Sequence, residues 1–324
     1  MSGSGVVPRI LLATDGSHAA AEAEAYACGL AQSWGAELTV IHVVEFSPGL
    51  NPDYPVNRLY LGELMKQATR ELADLKARAG ERGIPIHGRI ATGIPSEEVL
   101  AAASAEDPDL IVVGTRGKTG LAHIVLGSTA ERIIRAAPCP VLAIRAEGSE
   151  PPQSCVRRRN PAEFVRILVP IDFSDCSLDA LEYAVVIAQR ARASLTLMHV
   201  LEPVSYSLDF SLPHVAEREK RRDAIKERLS GLVSALTAVQ VKSDYLMRGG
   251  LPGDSILDTA SSQPADLIIM GTHGRRGLAH AYYGSVAESV LRKAQCPVLM
   301  VRSPKFHAGH RRVLTAEAAY PSNP

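Results

Sequence analysis

Two stretches of this 324-residue chain carry glycines at a spacing suited to holding a phosphate. They are GTRGKTGLAHIVLGS, residues 114–128, and GTHGRRGLAHAYYGS, residues 271–285. Both fit G-x2-G-x9-G-S, with Gly114, Gly117, Gly127 and Ser128 in the first and Gly271, Gly274, Gly284 and Ser285 in the second. The Gly-Lys-Thr inside the first suggests a P-loop, but G-x-x-x-x-G-K-[ST] needs a glycine at position 112, where Val112 stands. The second stretch does without the pair and reads GRR. What the spacing offers is backbone. A glycine where a strand stops lets the chain turn sharply and a ligand approach with no Cβ in the way. A second glycine three residues on continues a run of N–H groups able to form an anion-binding concavity. The closing Gly-Ser opens a helix whose first N–H groups lack internal partners and carry the positive end of the dipole. Ser128 and Ser285 are expected as N-caps that also offer a hydroxyl to a phosphate oxygen. Charge-assisted bonds contribute ~1.5–3 kcal/mol each, so a few of them supply much of the ~8 kcal/mol of a micromolar complex.

Other polar residues recur with the loops. Asp15 and Asp172 each follow a short apolar run, in ATDGS and PIDFS. Each either contacts a ligand or caps the following helix, for which DGS and DFS are good sequences. His42 and His199 lie inside apolar runs and read as satisfied core histidines; His123 and His280, in GLAH, read as structural. The cations of the two loops differ (Arg116 and Lys118 against His273, Arg275 and Arg276), which points to backbone more than a fixed side chain for meeting phosphate charge.

The elements that must position these residues are written twice. RILLATDGSHAAAEAEAYACGLAQSWGAELTVIHVVE from Arg9 returns as RILVPIDFSDCSLDALEYAVVIAQRARASLTLMHVLE from Arg166, an offset of 157 that does not drift. Asp15 matches Asp172, His42 matches His199, and Gly114 matches Gly271; over 109–145 against 266–302, 21 of 37 positions are identical. Register kept this long means duplication of a whole fold. We expect domains over 1–147 and 165–303, a Pro-, Ser- and Arg-bearing linker over 148–164, and a mobile tail over 304–324. In the first copy RILLAT, AELTVIHVV, IPIHGRIA, DLIVVG and PVLAIR read as strands. Helices are expected in AAAEAEAYACGLAQSWG, in LGELMKQATRELADLKARAGERG after a loop with Pro48, Pro52 and Pro55, in PSEEVLAAASAE and in STAERIIRAA. Strands apolar on both faces and alternating with helices specify a parallel sheet covered on each side, and right-handed crossovers make that a doubly wound α/β domain. Ligands of such sheets sit beyond the carboxyl ends of the strands, where the winding reverses. Ala13, Asp15, Val43 and Gly114 fall there in the first copy, and Pro170, Asp172, Val200 and Gly271 in the second.

Bulk properties narrow the classes. Thirty-five basic and 35 acidic residues give no net charge, which argues against a dedicated nucleic-acid binder. Arg157–Arg159 and Arg311–Arg312 fall in the expected linker and tail. The cysteines (Cys28, Cys139, Cys155, Cys176 and Cys296) form no C-x-x-C pair, so neither a zinc site nor a disulfide framework is expected. The start MSGSGVVPRI lacks a signal-peptide layout, and no apolar run reaches the ~20 residues that span a bilayer. A reduced, soluble, cytoplasmic protein with no membrane partner is expected.

Both copies resemble the universal stress protein family, and the whole chain resembles its tandem members. The resemblance rests on ATDGS and PIDFS, on HVVE and HVLE, on the two glycine loops, and on CPVLAIR and CPVLMVR. It implies a Rossmann-like, adenine nucleotide alpha hydrolase-like fold with a five-stranded parallel sheet in each domain. The loop pattern resembles that of the family's ATP-binding branch, which implies ATP, with or without Mg2+, as the cofactor. Ala13, Asp15 and Val43 would line the adenosine part of the site, Gly114 and Gly117 would wrap the phosphates, and Gly127 and Ser128 would meet their far end. Pro170, Asp172, Val200, Gly271, Gly274, Gly284 and Ser285 take these roles in the second copy. The resemblance further implies pairing through the last strands, within the chain or in a homodimer, and a role in stress response as a nucleotide-dependent regulator of an unidentified protein. The first copy departs from the pattern with AT where the second has PI before the aspartate.

Catalysis has less support. The sequence offers no Walker lysine, no metal-binding carboxylate pair and no nucleophile with a base at motif spacing. A weak ATPase is the most it suggests. The competing readings are a slow ATP hydrolase and an interaction scaffold with vestigial loops. No G-x-G-x-x-G follows the first strand, which disfavours a dehydrogenase.

Overall fold

The structure, a computed structural model, describes residues 8–45, 54–115, 126–145, 163–202, 212–274 and 284–302. Gly117, His123, His280, Cys155, the differing loop cations Arg116, Lys118, Arg275 and Arg276, the linker as far as residue 162 and the tail from 304 lie outside the described residues. The chain divides into two compact units, one of residues 1–163 with 295–300 and the other of 164–294 with 301–324.

The first unit runs β1 (Arg9–Thr14), α1 (His18–Trp34), β2 (Glu37–Glu45), α2 (Pro55–Gly80), β3 (Ile86–Gly93), α3 (Pro95–Glu106), β4 (Leu110–Gly114), α4 (Ser128–Ala136) and β5 (Val141–Ile144). Its strands lie in the order β3-β2-β1-β4-β5, every pair parallel. β1 and β4 sit inside the sheet between helices, so Leu11, Leu12, Ile111 and Val112 are wholly buried. β3 is the outer strand and departs from the expected two-sided burial: its residues alternate half-buried and exposed. α1 buries Ala20, Ala23, Ala27, Leu30 and Ala31, one face at helical spacing, and ends at Gly35, whose φ of 61° suits a glycine cap.

The second sequence repeat follows the same plan with β6 (Arg166–Pro170), α5 (Asp175–Ala191), β7 (Ser194–Leu201), α6 (Leu212–Ala238), β8 (Ser243–Gly249), α7 (Pro252–Ser262), β9 (Leu267–Gly271), α8 (Ser285–Lys293) and β10 (Val298–Val301). β6 pairs in parallel with both β7 and β9, and β8 lies outside β7. Thr115 N donates to Ile144 O at 2.8 Å in the first unit, and Thr272 N to Val301 O at 2.9 Å in the second.

α2 differs in length from the sequence expectation. It begins at Pro55, six residues earlier, because a proline at the first helical position has the right φ and no N–H to lose. It ends at Gly80 rather than Gly83, whose φ of 70° turns the chain towards β3. Among the described residues no helix is long and apolar enough to cross a membrane.

Candidate functional site

The strand order sets where a ligand can sit. From β1 the chain steps outwards to β2 and β3, then returns to place β4 on the other side of β1. The connections leaving β1 and β4 therefore diverge and open a crevice at the carboxyl ends of those strands. In the second unit β6 and β9 make the same crevice. Ala13 is the penultimate residue of β1, Asp15 lies one past its end, and Gly114 closes β4. Val43 lies inside β2, beyond the last pair with β1 at Thr14–His42. Pro170 and Gly271 close β6 and β9, Asp172 follows two residues after Pro170, and Val200 lies within β7. Gly127 and Gly284 precede α4 and α8, with Ser128 and Ser285 as their first residues.

Each aspartate shapes a turn rather than a helix cap. Gly16 and Phe173, the residues after them, have φ of 68° and 62°. That bend lets Asp15 Oδ1 accept from Ser17 N at 2.9 Å and Asp172 Oδ1 accept from Ser174 N at 3.0 Å. Ser174 Oγ also donates to Asp172 Oδ1 at 2.6 Å. The capping expected of the aspartates falls two residues later: Ser17 Oγ accepts from Ala20 N at 3.1 Å and Ser174 Oγ from Ser177 N at 3.3 Å.

The glycine loops divide their work unequally. A Cβ on Gly274 would lie 2.6 Å from Asp172 Oδ2, so the loop backbone and the aspartate are brought together. One on Gly284 would face Thr272 O at 3.7 Å and Gly274 N at 3.8 Å, the floor of the crevice. Gly271 also meets a packing demand: its Cβ would meet the backbone of Cys176 in α5 at 2.8 Å. Gly127 N and Gly284 N donate to Thr115 O at 2.7 Å and Thr272 O at 3.0 Å, closing the loops at matching points.

Ser128 and Ser285 are not the N-caps expected of them. Gly127 (φ −71°, ψ 146°) and Gly284 (φ −62°, ψ 140°) hold the extended cap conformation, so the cap position of α4 and of α8 supplies no side-chain hydrogen bond. The serines sit one position further in, already helical, where a hydroxyl cannot reach back to the N–H groups of its own turn. The buried Thr115 Oγ1 has no hydrogen-bond partner among the described residues, whereas Thr272 Oγ1 lies 2.9 Å from His273 Nδ1.

Sequence reasoning missed a set of side chains behind the aspartate turns. In the first unit Thr14 Oγ1 accepts from Gly16 N at 3.2 Å and donates to Glu24 Oε1 at 2.9 Å, and Arg78 donates to Glu24 Oε2 at 3.2 Å. Glu71 accepts from Gln67 at 2.8 Å and approaches His42 Nδ1 to 3.7 Å. In the second unit His199 Nδ1 donates to Ile171 O at 2.7 Å, in keeping with a core histidine. Its ring lies 5.4 Å from that of Phe173, and the Arg228 guanidinium lies 3.9 Å above the Phe173 ring. Glu71 and Arg228 stand at the 157-residue offset, a correspondence visible in the sequence only once α2 and α6 are aligned.

Burial pushes Glu24 above the ordinary carboxylate range; the bond from Thr14 and the charge of Arg78 pull it back, and the charge of Glu71 pushes it up again. The folded chain thus holds this proton over a window in which the unfolded chain has lost it. Its contribution to stability is present below the unfolded pKa and lost as pH rises through the folded one. Glu24→Gln, neutral throughout, removes that dependence. Wild type should gain melting temperature relative to Glu24→Gln as pH falls from about 7 to 5; thermal melts showing a constant or opposite gap would contradict this.

The comparisons with known proteins decide the lineage. The sequence profile of the universal stress protein family matches residues 7–145 and 163–302. The chain belongs to the universal stress protein family. It is a tandem member, with one family domain in each repeat. A universal stress protein of Methanocaldococcus jannaschii is 38% identical over 150 residues, covering 46% of this chain and 88% of its own. One from Mycobacterium tuberculosis is 26% identical over 311 residues, covering 90% of this chain and 96% of its own, and so shares the two-domain length. The crystal structure of a universal stress protein from Archaeoglobus fulgidus superposes with a TM-score of 0.66 at 23% identity, over 91% of this chain and 98% of that one, which shows the common fold.

This universal stress protein also has a cleft of about 370 Å³ at the opposite, amino-terminal ends of β1–β3. Arg89, 3.3 Å from Glu106, and Arg9, 3.1 Å from Asp107, form ion pairs around it. No group of three or more metal-ligating side chains occurs among the described residues.

Proposed function

We propose that each unit binds ATP in the crevice at its strand ends, and that the protein acts in stress response as a nucleotide-dependent regulator with little or no catalysis. The observation that carries this reading is the pair of helix starts. α1 and α5 are capped by serines, whereas α4 and α8, which face the crevice, open on glycine with no capping side chain. Their first N–H groups are suited to phosphate oxygens, and the dipole favours the negative charge. Gly274 supports the fit, because a side chain there would close the space between the loop and Asp172. Thr115, with its buried hydroxyl, supports it in the first unit. Asp15 and Asp172 would meet the adenosine part, with Val43 and Val200 offering backbone to the base. Lacking a ready cluster of metal ligands among its described residues, the protein would take Mg2+ only as a companion of the phosphates, to which that ion binds while keeping much of its water.

ATP at one hundred times its dissociation constant should stabilise the protein by about 2.7 kcal/mol, a clear rise in melting temperature. Mass spectrometry of nucleotide released from gently purified protein would give identity and stoichiometry together. No thermal shift with millimolar ATP, ADP or AMP would remove the reading.

A further inference from the structure

We propose that the two crevices are unequal: the second is the tighter site for a polyanionic nucleoside triphosphate, the first favours a less charged relative such as a nucleoside monophosphate, and the residue pair beside each aspartate turn sets the difference. This rests on the nucleotide reading above.

The repeat makes the comparison position by position. Gly16 corresponds to Phe173, His42 to His199 and Glu71 to Arg228. In the first unit the Glu71 carboxylate fills the space beside Gly16 that a side chain would enter. In the second, the Phe173 ring stands at the turn instead, covered by Arg228 and flanked by His199. A negative charge behind one binding aspartate is thus replaced by a positive charge behind the other. Glu24 adds a carboxylate near Glu71 and is paired with Arg78, where the second unit has Leu181 and Ala235. α5 also buries Asp179 and Glu182, at places held by Glu22 and Ala25 in α1.

Geometry points the same way as charge. A left-handed φ is costly for a bulky side chain, and such strain persists only where the surroundings impose it. The Arg228–Phe173–His199 stack supplies the constraint, through a cation–aromatic contact worth most when shielded from water. His199 is itself fixed on Ile171 O, so the segment from Ile171 to Ser174 is held from two sides. Asp172 is thereby placed against Gly274 before any ligand arrives. Arg228 and Phe173 are positioning residues for Asp172.

Isothermal titration of the full chain with ATP and with AMP tests this. ATP should resolve two classes of site, with Asp172→Ala removing the tighter class; AMP should show a narrower gap. Neutralising one of these charges should change ATP affinity about three- to tenfold. Arg228→Gln should therefore weaken the tight class, and Glu71→Gln should strengthen the weak one. Raising NaCl to about 0.5 M should shrink the gap in the wild type, a screening effect that mere packing damage would not produce. If Arg228→Gln perturbs folding, Arg228→Lys should still keep much of the gap. Two equal classes for ATP, or a weak class that Glu71→Gln leaves unchanged, overturn the inequality while nucleotide binding stands. Absence of any binding overturns the nucleotide reading itself.

Discussion

Gly271→Ala should destabilise the second unit by about 1–3 kcal/mol, and valine there by more, with or without nucleotide. Gly271 ends β9 where α5 crosses it, and an added Cβ would lie 2.8 Å from both the carbonyl carbon and the Cβ of Cys176 and 2.9 Å from its carbonyl oxygen. Two of those atoms are backbone and cannot rotate away, so either the strand end or the first turn of α5 must move. That turn holds Ser174 and, through it, Asp172, so movement would also disturb the crevice. Gly231→Ala provides the control. Nothing lies within 4 Å of a Cβ there, in the exposed middle of α6, so that change should stabilise by about 0.4–1 kcal/mol. Urea unfolding followed by a probe specific to the second unit reads both, since two units need not unfold in one step. Wild-type stability for Gly271→Ala would mean that the strand end is not packed as described.

The architecture was legible because duplication supplied it. A fixed offset aligned each strand and helix with its copy, and β1, α3 and the glycine loops need only apolar runs, proline and glycine to be read. Boundaries failed where a residue had two local meanings. Pro55 reads equally as the end of a loop or the start of a helix. Ser128 reads as a cap until the preceding glycine is seen to hold the cap conformation. The aspartates stand out in the sequence, but the turn each one makes depends on the positive φ of the next residue, which a glycine suggests and Phe173 conceals. The charges behind the turns were illegible for another reason. Glu71 and Arg228 sit on helices 55 residues further along the chain from the turns they meet, in stretches rich in other charges. Only the packing of α2 and α6 singles them out. Gly271 shows the converse: the spacing is plain in the sequence, but the packing of this glycine against α5 is visible only in the fold.

That division within one motif allows binding to be separated from stability. Gly284 adopts φ −62° and ψ 140°, open to any residue, and a Cβ there would meet Thr272 O, Gly274 N and His273 Cα at 3.7–3.9 Å, ordinary contact distances. The fold should therefore accept a side chain at a cost of about 1 kcal/mol or less, the difference between glycine and a poor N-cap. The crevice should not. The branches of Gly284→Val would project over Gly274 N and the leading turn of α8, where the phosphates are proposed to sit. Losing even two charge-assisted bonds there would weaken ATP in the second unit about a hundredfold. Gly127→Val should act likewise in the first unit, with a tighter approach of 3.4 Å to Thr115 O and a slightly larger effect on stability. The double variant should fold, melt close to the wild type without ligand, and lose the thermal shift with ATP. Titration of the two single variants should each leave one class of site, and the weaker class should be the one that survives Gly284→Val. A double variant that still binds ATP at full strength would place the triphosphate away from both helix starts and end the proposed mode of binding.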